Sequence, residues 1–247
     1  LFFLFLLTCT YSCASRGLDG IQAEISSEKK IYDEAQKRLK NGSYSLAIEA
    51  LEALERSFPF GKYAEQAQAE LIYAYYENGL YEAAVRAAER FISLHPRHPN
   101  TDYAYFMKGL AAFSKEKELL SSLPVLGDLT YKRDLTSAKE SFNLLTEFLT
   151  RFPESIYVED AKRRMLFLRN LIAYQEIEIA QFYMKRKAYI AAVSRADYII
   201  SSLPSSPVLQ EALEIKIKAY ALMEKQDLAD QAQEILDRFI KASKSTN

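Results

Sequence analysis

The chain has few of the residues that break regular structure: 7 glycines and 7 prolines in 247 residues. So few turn formers imply long elements joined by short connections, which favours an all-helical protein. Cysteine is scarcer still. Its two copies, Cys9 and Cys13, both stand at the very start, so the body of the chain cannot hold an internal disulfide. An excess of one charge is also missing, with Lys plus Arg at 32 and Asp plus Glu at 33. Without a basic surplus to neutralise phosphates, nucleic-acid binding is excluded as the main task. Imidazole is limited to His95 and His98, which flank Pro96. No Gly-x-Ser-x-Gly, Gly-x-Gly-x-x-Gly or phosphate-cradling loop occurs. No cysteine or third histidine accompanies the two imidazoles toward a metal site. His95 reads as a residue at the negative end of a helix dipole. Glu159 with Asp160, and Glu116 with Glu118, read as solvated helix faces rather than acid/base pairs. An enzyme, a cofactor or a bound metal is therefore not expected.

What is present is apolar residues at 49% and aromatics at 13%, enough to bury a core and too much for a disordered chain. Leu1 to Leu7 is an uncharged apolar run, and counted through Cys13 it stays shorter than the roughly 20 residues a spanning helix needs. It reads as the hydrophobic part of a secretion signal. With no initiator Met or basic leader ahead of it, the chain is expected to begin inside that signal. Small residues around Cys13, in Thr10-Tyr11-Ser12-Cys13-Ala14-Ser15, resemble a bacterial lipoprotein signal, with Cys9 as the competing site. Lipidation there would anchor the chain to a membrane without a spanning helix. Residues 14–27 would form the tether.

Four phrases then recur: Tyr44-x-x-Ala47, Tyr81-x-x-Ala84, Ala138-x-x-Ser141 and Tyr189-x-x-Ala192. Each small residue is followed twelve positions later by a proline, at Pro59, Pro96, Pro153 and Pro204. A fixed offset between a small residue and a helix-ending proline marks a helical repeat. The small residues are expected where two helices cross closely. The positions four and seven further on continue the same face: Leu51 and Leu54, Ala88 and Phe91, Leu145 and Phe148, Ala196 and Ile199. The proline spacings of 37, 57 and 51 exceed the ideal tetratricopeptide period of about 34 residues, so insertions are expected in the later repeats. The longest interruption is residues 119–128, open to reading as a lid, a partner loop or a plain insertion.

Helices are predicted from about Glu28 to the Asn41-Gly42 break, and on to Pro59. They continue over Tyr63–Asn78, Tyr81–Leu94, Thr101–Lys117, Arg133–Arg151, Ile156–Lys187 and from Ala188. The last pair is predicted over Pro207–Lys225 and Asp227–Ala242, with Pro207 in a first helical turn and Ala232 as its small residue. The expected fold is all-α: a right-handed superhelical solenoid of about five tetratricopeptide-like pairs. About three lie in 28–153 and two in 154–247. Such arrays build extended surfaces for partners. Two aromatic sets are candidates. Phe60, Tyr63, Tyr73, Tyr76 and Tyr103 suit an adaptable peptide groove. Arg186 and Arg195, beside Tyr183 and Tyr189, have the composition of an interface hot spot.

These residues also resemble a known family. The run Leu54 to Phe60 with Gly61-x-Tyr63, Gln66-Ala-Gln68 and Tyr73-Ala-Tyr75-Tyr76 carries the first part of the likeness. Arg90-Phe91-Ile92-x-Leu94-x-Pro96-x-His98-Pro99-Asn100-x-Asp102-Tyr103, Met107-x-Gly109-Leu110, Arg133-Asp134 and Arg151-Phe152-Pro153-x-Ser155-x-Tyr157 continue it. Ala188-Tyr189-x-Ala191-x-Val193-x-Arg195 completes it. Together they resemble the BamD family of outer-membrane assembly lipoproteins, also labelled competence lipoproteins, over about residues 28–240. The resemblance implies a lipid-anchored protein on the periplasmic face of the outer membrane, in the machine that inserts β-barrel proteins. It implies that Arg186 and Arg195, with Tyr189 between them, contact the barrel-forming central subunit. Accessory lipoproteins would join the same complex. Unfolded outer-membrane proteins would be received at the Phe60, Tyr63, Tyr73, Tyr76 and Tyr103 region. A different periplasmic repeat scaffold, serving division or wall synthesis, is the alternative that period and aromatics alone leave open.

Overall fold

The computed structural model describes residues 27–121 and 134–245. All the regular structure in those residues is helical. The helices are α1 (27–40), α2 (Tyr44–Ser57), α3 (Ala64–Glu77), α4 (Tyr81–Leu94) and α5 (Thr101–Ser121). They continue with α6 (Thr136–Arg151), α7 (Val158–Lys185), α8 (Tyr189–Ser202), α9 (Leu209–Leu222) and α10 (Gln226–Ser245). Within α1–α4 and within α6–α10 the connectors are short, so consecutive helices reverse direction and pack as antiparallel neighbours. The chain divides into two compact units, the first ending at Ala111 and the second beginning at Ala112. In the first, α2 packs on α3 and α3 on α4. In the second, each of α6 to α10 packs on the next, and α7 also packs on α9, one pair stacked on the following one.

The small residues sit where the spacing predicts. Ala47, Ala84, Ser141 and Ala192 are all 0% exposed. So are Leu51, Leu54, Ala88, Phe91, Leu145, Phe148, Ala196 and Ile199. A side chain without bulk lets the helix axes approach, and the larger residues two turns later, Leu54, Phe91, Phe148 and Ile199, fill the seam. Burying one such Phe or Leu is worth about 1.5–3 kcal/mol. In the last pair Ala232 and Leu236 are buried as well, while Phe239 is half-buried. In the first unit this seam joins α1, α2 and α3 through Ala35, Ile48, Leu51, Leu54, Ala67 and Leu71.

The prolines do more than stop helices. Proline disfavours helical backbone in the residue before it. Phe58, His95, Phe152 and Leu203 accordingly share one conformation, with φ between −127° and −135° and ψ between 44° and 60°. The carbonyl of each then accepts from the N–H three residues on, at Gly61, His98, Ser155 and Ser206. Those carbonyls accept in turn from Ala64, Thr101, Val158 and Leu209, where the next helix begins. This double turn explains one departure from expectation. Pro207 does not open α9; it lies inside the double turn, and the helix starts at Leu209.

Within pairs, the turns follow a second rule. Gly42 and Gly79 have φ of +70° and +74°, and the next N–H, of Ser43 and Leu80, donates back to Arg38 and Tyr75. This is the left-handed helix stop that glycine favours. The later pairs use the same hydrogen bonds, Ala188 to Tyr183 and Lys225 to Tyr220, but put Lys187 and Glu224 at φ +59°.

Candidate functional site

The aromatic set of the first unit is held by its own helices. Phe60 is 100% exposed on the connector before α3. Tyr63, two residues beyond Gly61, is half-buried. Its ring stacks on Tyr32 of α1 with centroids 4.5 Å apart, and Lys62 lies over its face. Its N–H donates to Glu28 Oε1 at 2.7 Å. That carboxylate is 3% exposed and sits at the positive end of α3, where an anion is favoured. A Cβ at Gly61 would collide with it, so this connector needs glycine for space.

Tyr73 stands ten residues after Tyr63, about 15 Å further along the axis of α3. It meets Tyr44 edge to face at 6.0 Å. The hydrogen bond with Tyr44, helped by partial burial, pushes the Tyr73 phenol up to about 12. Tyr76 lies against Tyr81 across the α3–α4 turn. Tyr103 is half-buried in the first turn of α5, with its N–H on Asp102 Oδ1 at 2.7 Å. Tyr63, Tyr73 and Tyr76 thus engage three separate partners at the two ends of α3. Phenols outside the candidate set are tied to carboxylates: Tyr32 donates to Glu70 at 2.9 Å and Tyr75 to Glu52 at 2.6 Å. Burial, followed by those hydrogen bonds, raises both phenols well above their usual value.

His95 caps α4 and is a packed turn residue. Its Nε2 lies 2.8 Å from Gln68 Oε1, and both imidazoles lie against Phe91. Among the described residues no group of three or more His, Cys, Asp or Glu is placed to hold a metal. Glu159 pairs with exposed Lys162, while Asp160 pairs with exposed Arg163 and with half-buried Arg164, in the first turns of α7. Cys9, Cys13 and residues 122–128 of the 119–128 insertion lie outside the described residues, as do the side chains of Glu116 and Glu118.

The second unit has a cleft of about 590 Å³. It runs along the last three turns of α7, lined by Gln175, Glu178, Ile179, Phe182 and Tyr183, with Arg195 reaching in from α8. Arg186 caps α7 and lays its guanidinium over the Phe182 ring, 5.1 Å from its centroid. Phe182 is 52% exposed, so this aromatic–cation pair faces solvent. Arg186 and Arg195 therefore flank one surface. Tyr189, the first residue of α8, is half-buried and does not line the cleft.

Arg195 is anchored from beneath. Its Nη1 donates to Glu176 Oε2 at 3.1 Å, and Lys139 Nζ of α6 donates to Glu176 Oε1 at 2.7 Å. The Glu176 side chain is 1% exposed, and its neighbours on the same face, Ile172, Ala173, Ile177 and Ala180, are buried. A carboxylate enclosed this way requires compensating charge, which two cations from two other helices supply.

Comparison with known proteins identifies the scaffold. The model of the YfiO family, described as outer membrane lipoprotein, matches residues 25–235. The chain belongs to this family of outer membrane lipoproteins. Among its relatives, an outer membrane protein assembly factor BamD from Neisseria gonorrhoeae is 36% identical over 229 residues, 92% of this chain and 85% of the relative. The BamD of Vibrio cholerae serotype O1 is 35% identical over 207 residues, covering 84% of this chain and 85% of the relative. That of Xylella fastidiosa strain Temecula1 is 32% identical over 234 residues, covering 95% and 78%. The YfiO match takes in both aromatic sets and the cleft; it begins after Cys9 and Cys13.

Reasoning from sequence names Arg186 and Arg195 but misses Glu176, Lys139 and Phe182. One signal was available for Glu176. It occupies the apolar face of α7, between Ile172–Ala173 and Ile177–Ala180, where a charge needs a reason.

Proposed function

We propose that this outer membrane lipoprotein is a scaffolding subunit of the outer-membrane protein assembly complex. A lipid on Cys13, or on Cys9, holds it at the periplasmic face. The second unit docks the periplasmic region of the barrel-forming central subunit at the Arg195 cleft, with Arg186 and Tyr189 as further contact residues. Accessory lipoproteins join the same assembly. The first unit receives unfolded outer-membrane proteins on the surface around Phe60, Tyr63, Tyr73, Tyr76 and Tyr103. The work is scaffolding and delivery, with no bond chemistry.

The observation that carries the docking site is the pairing of a fixed cation with an exposed aromatic in one cleft. Arg195 remains 40% exposed while bonded to Glu176, and Phe182 presents an apolar ring beside it. Arginine and aromatic anchors of this kind dominate interface energies. The relatives, named outer membrane protein assembly factors, support a role in that assembly process.

Binding of the chain to the purified periplasmic domains of the cognate barrel-forming subunit tests this, with Arg195→Glu measured alongside. Reversing the charge of a desolvated cation is expected to cost about 2–5 kcal/mol of affinity. Binding that survives the change moves the interface away from the cleft. No binding by the wild-type chain rejects the docking role.

A further inference from the structure

Glu176 has no exposed surface with which to touch a partner, yet it is bonded to the residue proposed to do so. We propose that Glu176 is a positioning residue for partner recognition: it fixes the Arg195 guanidinium at the mouth of the cleft, with its remaining N–H donors aimed at a carboxylate of the docked protein. This rests on the docking reading above and deepens it, by naming what organises the contact and the chemistry it accepts.

The geometry supports the assignment in three ways. Among the described residues Glu176 is the hydrogen-bond partner of Arg195, and it engages only Nη1. A guanidinium carries five N–H donors in a planar fork, so fixing one end orients the rest. Second, Glu176 is itself immobilised. Its other oxygen is held by Lys139, and it is packed among Ile172, Ala173, Ile177 and Ala180. Third, the charges do not cancel. Three cations, Arg195, Lys139 and Lys185, against two anions, Glu176 and Glu178, leave one net positive charge, which suits an acidic side chain, while Phe182 and Ile179 beside it suit an apolar neighbour. An arginine held ready loses less side-chain freedom on binding than a free one.

The alternative is that Glu176 merely neutralises charge for packing. The two roles predict opposite signs. Glu176→Gln keeps the shape but adds one unit of positive charge to the site, so recognition by net charge alone would tighten. Recognition by placement would weaken, through faster dissociation.

The experiment uses the full chain and the periplasmic domains of the barrel-forming subunit, with association and dissociation rates measured at low and moderate salt. Glu176→Gln is expected to dissociate about tenfold faster, with association at low salt unchanged or faster. Unchanged dissociation with equal or tighter affinity overturns the proposal. Arg195→Ala separates the two readings. If it leaves binding intact, the docking site is wrong, and the positioning role is then decided without the partner. In the free chain the Arg195 Nε–H resonance, assigned by its loss in Arg195→Lys, is expected to be sharp and slow to exchange with water. In Glu176→Gln it should broaden and exchange quickly, and an unaltered signal rejects the role. Should Glu176→Gln fail to fold, Glu176→Asp retains the charge one methylene short. The same resonance and dissociation readings apply, with a smaller change expected and no change overturning the proposal.

Discussion

In the first unit, Glu52 and Glu70 accept hydrogen bonds from the neutral phenols of Tyr75 and Tyr32. In the second, Glu176 accepts from the ammonium of Lys139 and the guanidinium of Arg195. Exposure explains the difference. The Glu52 side chain is 38% exposed and retains water on one side; beside the phenol it also meets Arg56 at 3.3 Å, a surface cation that solvent screens. Glu176 at 1% retains none, and enclosing a charge without a countercharge is prohibitive. Similar repeats thus use acids for opposite ends. One set fastens tyrosines into a surface rich in aromatics; the other carries positive charge to the edge of a cleft.

The sharpest way to break this comparison is to remove an acid from each unit. Glu176→Ala removes the enclosed acid and its hydrogen bonds to two cations whose side chains are 37% and 40% exposed, and is expected to cost about 2–3 kcal/mol in urea unfolding. Glu52→Ala frees a phenol that water can reach and is expected to cost about 1 kcal/mol. Equal losses would mean that the two acids do the same structural work.

A second test asks whether the helix seams of the two units are equivalent. Ala84 and Ala192 are both 0% exposed at the same place in the repeat. Leucine at either has no space and should cost about 1–3 kcal/mol, and by similar amounts. A large loss at Ala84 beside a negligible one at Ala192 would show that the second unit yields where the first does not.

The third test uses pH. The Tyr75 phenol lies above its ordinary value of 10.0, burial being the first cause and the Glu52 hydrogen bond the second. A group whose pKa is raised on folding contributes stability below its unfolded pKa and loses it as pH climbs toward the folded one. The contribution of Tyr75 is therefore complete at neutral pH and declines from about pH 10 upward. Tyr75→Phe should cost about 1 kcal/mol at pH 8, a cost that shrinks above pH 10. A cost that stays constant across that range would place the contribution in packing rather than in the hydrogen bond.

What could be read in advance follows from how far apart the responsible residues stand. The seam of Ala47, Leu51 and Leu54, and its three copies, is local: period and proline offset lie within one stretch of chain. The double turns are local too, although only the structure reveals that Pro207 belongs to one of them. The Glu176 clamp is not local, because its cations stand 37 and 19 residues away on other helices. A glutamate in a helical run carries no mark of its future burial except its place on an apolar face. The aromatic set falls between these cases. Its composition is plain in Phe60, Tyr63, Tyr73 and Tyr76, but which ring meets which depends on helix rotation: Tyr63 meets Tyr32, Tyr73 meets Tyr44 and Tyr76 meets Tyr81.

The smallest effects concern the turns, where the units differ in a single atom type. Gly42 and Gly79 adopt the left-handed conformation freely, whereas Lys187 and Glu224 adopt it with a Cβ. A residue with a Cβ pays roughly 1–2 kcal/mol there, and glycine returns about 0.5–1 kcal/mol of that through its looser unfolded state. Lys187→Gly and Glu224→Gly should each stabilise the second unit by a net of about 0.5 kcal/mol, read as a small rise in the urea midpoint. Gly79→Ala should reverse the sign, at about 1 kcal/mol of loss. Lys187 sits between Arg186 and Ala188, directly after the end of α7 that carries Phe182, so its substitution also probes function. If Lys187→Gly stabilises the chain yet weakens docking, the strained turn serves to hold Arg186 over Phe182. If it stabilises without that loss, the lysine serves the turn poorly and contributes nothing to the cleft.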